Sequence, residues 1–247
     1  ARITVTADSG SLTMVDGSVI DAVGGDITVT AAGDVSFAQM IPTGDVSISS
    51  SAGSVTDVGD TGGADVQAAV LTINAGGSVG TTANPLETAV DQLGATSGST
   101  VDVDNTGDLT LTTTTAQGNV TISAASSMTI SDAVNTGGGD VNWDVTNDIH
   151  IHAAVTTGGG QVTAKADNDL TFDASGSLTT EGGAIVLRAD DDADGAEQGQ
   201  PAQGRYQHHQ IGHLGVLADQ NGPQDIVRCR HHDGAPGGQR SGGDRVA

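Results

Sequence analysis

Apolar and polar residues alternate along most of the chain in short bursts. The pairs Ile27/Val29, Val120/Ile122, Val141/Trp143, Val162/Ala164 and Ile185/Leu187 each enclose one residue, usually polar, and each follows a Gly-Gly, Thr-Gly or Gln-Gly turn. A second set, Val35/Phe37, Met128/Ile130, Ile149/Ile151 and Leu170/Phe172, follows about eight residues later, most often after Gly-Asp or Asn-Asp. An alternation of period two is the mark of a half-buried strand. The two sets together form a unit that recurs: GGDITVTAAGDVSFAQMIPTG from Gly24, QGNVTISAASSMTISDAVNTG from Gln117, GGDVNWDVTNDIHIHAAVTTG from Gly138.

Units of about 21 residues with two short strands cannot bury an apolar face alone. Stacked one on another, they place every second side chain in a continuous interior column. The repeat predicts an all-β fold, a right-handed parallel β-helix over residues 1–196, with coils roughly 4.8 Å apart. Gly and Asn suit the corners because they reach positive φ at low cost. Hairpin sandwiches also have strands at this spacing, but their units seldom align at one constant period. Leu71 to Thr112 interrupts the pattern. There NPLETAVDQL predicts a short helical insert near residues 84–94, with Asn84 as cap, Pro85 in the first turn and Leu86, Val90 and Leu93 on one stripe.

Composition narrows the reading. Of 247 residues 37 are Gly and only 2% are aromatic, so a core must be built from Val, Ile, Leu and Ala. Net charge is −23, and Asp supplies nearly all of the acidity. Asp favours turns, where its short side chain bonds local amides. Such charge makes nucleic acid and anionic membrane poor partners, and no apolar run reaches the ~20 residues of a membrane span. The single cysteine, Cys229, allows no intrachain disulfide. The chain starts at Ala1, without initiator Met or signal peptide, and enters strand-like sequence at once, which predicts a piece cut from something longer.

The G-D-[IV]-[TS]-[VI]-[TS] units resemble the repeats of filamentous-haemagglutinin-type and autotransporter-like bacterial surface adhesins. The stretch GGSVGTTANPLETAVDQLGATSGSTVDVDNTGDLTLTT, Gly76 to Thr114, resembles an element that recurs in very large proteins of this kind. The resemblance covers roughly residues 1–195. It implies export, a bacterial cell-surface location, and a stalk or adhesive role toward a host or matrix receptor such as a glycan. It carries over no catalytic residue.

Residues 197–247 change vocabulary: they lack Thr and hold five of the seven His, the only Tyr and the only Cys. Codon arithmetic suggests a frameshift. Read one base forward, Tyr206-Gln207-His208-His209 becomes Ile/Thr, Asn/Ser, Ile/Thr, Ile/Thr, which is repeat vocabulary. The expectation is a low-order tail.

Three groups carry candidate chemistry. Asp190, Asp192, Asp194 and Gly195 spell the front half of a calcium loop, but Pro201 stands where the loop wants Glu, and an acidic turn is the plainer reading. Asp102, Asp104, Asn105 and Asp108 form a looser cluster that is either a cation pinch or a solvated face. His150 and His152 share a strand face in zinc or copper geometry but lack a third ligand in sequence. Trp143, Phe37 and Phe172 take inward slots, which favours core filling over sugar stacking. Asp167, Asp169 and Asp173 could supply a glycosidase pair, but nothing singles them out, and no P-loop, dinucleotide fingerprint or nucleophile elbow occurs. The expectation is a structural segment rather than an enzyme, with no cofactor unless calcium; the alternative is a β-helical carbohydrate-active protein.

Overall fold

A computed structural model describes residues 1–59 and 63–189, together with the backbone of two further strands, Leu214–Leu217 and Ile226–His231. The described residues contain no helix; parallel strands stack as a β-solenoid of about nine turns, roughly 21 residues apart. Val120 pairs with Val141 and Val141 with Val162, each one coil further on. Backbone bonds zip the coils together, as from Val120 N to Asp140 O and from Val141 N to Gln161 O, both 2.9 Å.

The alternation does what it predicts. Val29, Ile122 and Ile151 lie in the interior, and Phe37 and Trp143 are buried with them. Phe172 is the exception, half-buried on the strand Leu170–Phe172 near the end of the described stack. Burying one such aliphatic side chain is worth about 1.5–3 kcal/mol relative to leaving it in water. The stacked interior columns are therefore a main source of the fold's stabilisation.

Each regular coil has three strands rather than the two read from the pattern. The third is Val134–Thr136, then Ala154–Thr157, then Ser177–Thr180, stacked in register. It escapes a search for apolar pairs because its second inward residue is Thr. Thr136, Thr157 and Thr180 turn their hydroxyls inward and donate to the carbonyls of Gly139, Gly160 and Gly183, closing the next corner. Those corners also demand glycine twice over. Gly159 sits at φ +118°, a region that L side chains rarely adopt. A Cβ on Gly160 would collide with the carbonyl of Gly139 in the coil beneath.

The helical insert near 84–94 is not formed. Leu86–Ser97 is a strand, paired in parallel with Val66–Ala75 on one side and with Val101–Asn105 and Leu109–Ala116 on the other. Leu86, Val90 and Leu93 are indeed all buried. Their helix-like spacing is a strand alternation with one extra residue: Leu86, Thr88 and Val90 point in, Asp91 and Gln92 are both exposed, and Leu93 points in again. The step is held by Asn105, fully buried. Its Oδ1 accepts from Val90 N (3.0 Å) and Thr88 Oγ1 (2.9 Å), and its Nδ2 donates to Gly107 O (3.0 Å) and Val90 O (3.3 Å). A partner one coil away supplies the bonds that a helix would have made within itself.

Beyond the last regular coil, Ile226–His231 pairs antiparallel with Ile185–Arg188 and with Leu214–Leu217. The parallel stack thus meets a strand of opposite direction where the repeat vocabulary ends.

Candidate functional site

Several Asp residues have a structural task at the corners. Asp34 Oδ1 accepts from Ser54 N (2.8 Å), Asp140 Oδ1 from Gln161 N (2.8 Å) and Asp148 Oδ1 from Asp169 N (3.0 Å), in each case a backbone amide of the following coil. Asp108 does the same with Ser127 N and also takes the Ser126 hydroxyl; these bonds hold its carboxyl below the usual carboxylate range. Part of the chain's acidity is therefore corner chemistry, in which ionised acceptors make stronger bonds to amides than neutral ones do.

The clusters read from sequence disperse. Asp102 is buried, with Oδ1 taking the Thr82 hydroxyl at 3.1 Å; Asp104 is half-buried, Asn105 faces the interior, and Asp108 serves its corner. Asp190, Asp192 and Asp194 lie outside the described residues. His150 and His152 do share the outer face, their rings 6.2 Å apart. His150 Nδ1 lies 2.7 Å from Thr171 Oγ1, and among the described residues no third ligand joins the pair. Asp173 folds back on its own turn, accepting from Ser175 N and Gly176 N. Asp169 is exposed.

One group stands apart from this corner pattern. Asp57, Asp65 and Glu87 each bring a carboxylate oxygen within 4.8 Å of the other two. Asp57 ends the strand Val55–Asp57, which pairs with Val35–Phe37 so that Asp57 stacks on Phe37. A carboxylate thus occupies an interior slot that an aromatic ring fills one coil earlier. Asp65 precedes the strand Val66–Ala75, and its amide donates to Glu87 O (2.9 Å), which sets Glu87 one coil beyond it. Asp57 is 5% exposed and Asp65 7%. Burial, then the neighbouring Asp57 and Glu87 carboxyls, push Asp65 up to about 8. Glu87 is raised by burial and by Asp57. The excursion between the bridge residue Val79 and Leu86 closes over this face: a turn bonded between Thr81 and Asn84 lets Asn84 Nδ2 donate to Asp57 Oδ1 at 3.0 Å.

Sequence reasoning missed this group because its members lie 8 and 22 positions apart and match no loop pattern. The available signal was a misfit. When GSVTD is aligned with GDVSF, an Asp falls where the repeat demands an apolar residue. No known protein family, curated protein or solved structure matches the chain.

Proposed function

We propose that the chain is a structural stalk segment of an exported bacterial surface adhesin, whose product is length and display rather than chemistry. The observation that supports this reading is the continuity of the stack. Interior aliphatic columns, corner Asp–amide bonds and outward polar columns such as Thr115–Asn135–Thr156–Thr179 pass from coil to coil in register. Nine turns at the strand spacing extend roughly 40 Å, and more coils would lengthen the rod without changing its cross-section. The resemblance of the G-D-[IV]-[TS]-[VI]-[TS] units to adhesin repeats adds export and a cell-surface location, with a host or matrix receptor engaged elsewhere in the parent protein. The carbohydrate-active alternative finds no specific support: Trp143 and Phe37 face the interior, and Asp173 is occupied by its own turn.

An antibody raised against the coils tests the reading on the source bacterium. Labelling of intact, unlysed cells is expected; labelling only after lysis would overturn it.

A further inference from the structure

A carboxylate in a solenoid core needs a reason. Asp57 takes the slot that Phe37 fills beneath it. Its Oδ1 accepts from Asn84, but its Oδ2 receives no hydrogen bond, although it is shielded from water. Asp65 Oδ2 is in the same condition. A third acid, Glu87, brings a carboxylate oxygen within 4.8 Å of one from each of them. A small cleft lined by Asp16, Ala38, Gln39, Val58, Gly59 and Asp65 opens beside them. The described basic side chains are committed to other coils: Arg2 donates to Thr28, Lys165 pairs with Asp144 at 3.7 Å, and Arg188 lies on the strand Ile185–Arg188.

Buried charges are kept in proteins by pairing or by a metal. Three converging carboxylates with two unpartnered oxygens are a hard, all-oxygen donor set. Their mutual separation falls within the diameter of a calcium shell, roughly 4.6–5.2 Å for ligands at 2.3–2.6 Å. Magnesium asks for near-ideal octahedral geometry and retains its waters, which suits this half-enclosed corner less well. We propose that Asp57, Asp65 and Glu87 form a calcium site built into the solenoid, with waters in the adjoining cleft completing the shell. The ion would tie together two successive coils, Asp57 and Asp65 on one and Glu87 on the next, at the place where the repeat is least regular.

The competing account is a cluster of shared protons that binds no metal. The test uses the full 247-residue chain, stripped with chelator at pH 7.5 and titrated with calcium chloride and, separately, magnesium chloride, by calorimetry and thermal melting. Calcium should bind and raise the melting temperature, with a smaller response to magnesium. The D57N/D65N double variant should lose one calcium equivalent and the melting shift, while melting no lower than wild type in chelator, because it no longer buries repelling acids. The D190N/D192N/D194N triple variant should keep both, which separates this site from the acidic run further along the chain. If the double variant does not fold, E87Q, altered at the half-buried position, should weaken calcium binding about tenfold or more. No calcium uptake at millimolar concentration, full retention of uptake by D57N/D65N, or unchanged affinity in E87Q would each overturn the proposal.

Discussion

The coils from Val120 to Thr180 and the stretch from Val55 to Asn105 are built on the same stack but solve different problems. In the first, every coil repeats the last: Val120, Val141 and Val162 superpose, and Thr157 and Gly160 close a corner in the manner of Thr136 and Gly139. In the second, a strand steps by one residue after Val90, a turn at Thr81–Asn84 folds over the outer face, and Asp57 and Asp65 are buried. The regular coils are held by apolar burial, which tolerates drift in sequence. The irregular stretch is held by specific polar partners, which do not. This difference explains why the first could be read from periodicity and the second could not.

Substitutions sharpen the contrast. Ile122→Ala empties part of the regular column and should cost about 3–4 kcal/mol, as buried large-to-small changes do. Asn105→Ala should cost roughly 2–3 kcal/mol by stranding buried backbone groups of the irregular step. Urea denaturation followed by circular dichroism checks both, and in hydrogen exchange the loss in Asn105→Ala should concentrate at the Val90 amide, which donates to Asn105 Oδ1. An Asn105→Ala loss no larger than that of an exposed Asn would dissolve the distinction. Thr157→Val removes one corner bond and should cost only about 0.5–1.5 kcal/mol. Trp143→Phe should cost little, since the cavity left by the smaller ring is offset by removing a buried indole Nε1 that has no acceptor.

The pH dependence carries the clearest sign. Asp65 is raised from 3.8 toward about 8 in the folded chain, so the fold binds a proton that the unfolded chain releases. Its contribution is full below about pH 4 and is lost as pH rises through about 8. Facing it are Asp57, Glu87 and, across the cleft, Asp16, all acids. In calcium-free buffer the wild type should therefore lose more stability between pH 4 and 8 than Asp65→Asn does. Parallel melting curves for the two proteins would contradict this.

The sequence made the solenoid, its period and its inward side chains legible because one physical rule, alternation, is repeated many times over. It concealed the third strand, where an inward Thr imitates an outward one and its hydroxyl finds a carbonyl three residues on. It misdirected at Leu86, Val90 and Leu93, where a strand with one extra residue has the spacing of a helix face. The carboxylate group was hidden because its members meet only through stacking: Asp57 and Glu87 are 30 positions apart in the chain and one coil corner apart in space.

The corner Asp bonds have a direction. The acceptor always belongs to the earlier coil and the amide to the later one, as from Asp140 to Gln161 and from Asp148 to Asp169. A finished coil thus offers a row of ready-placed anions to chain that has not yet folded. In a chain that adds coils from the amino end, each new turn would meet acceptors already set by its predecessor.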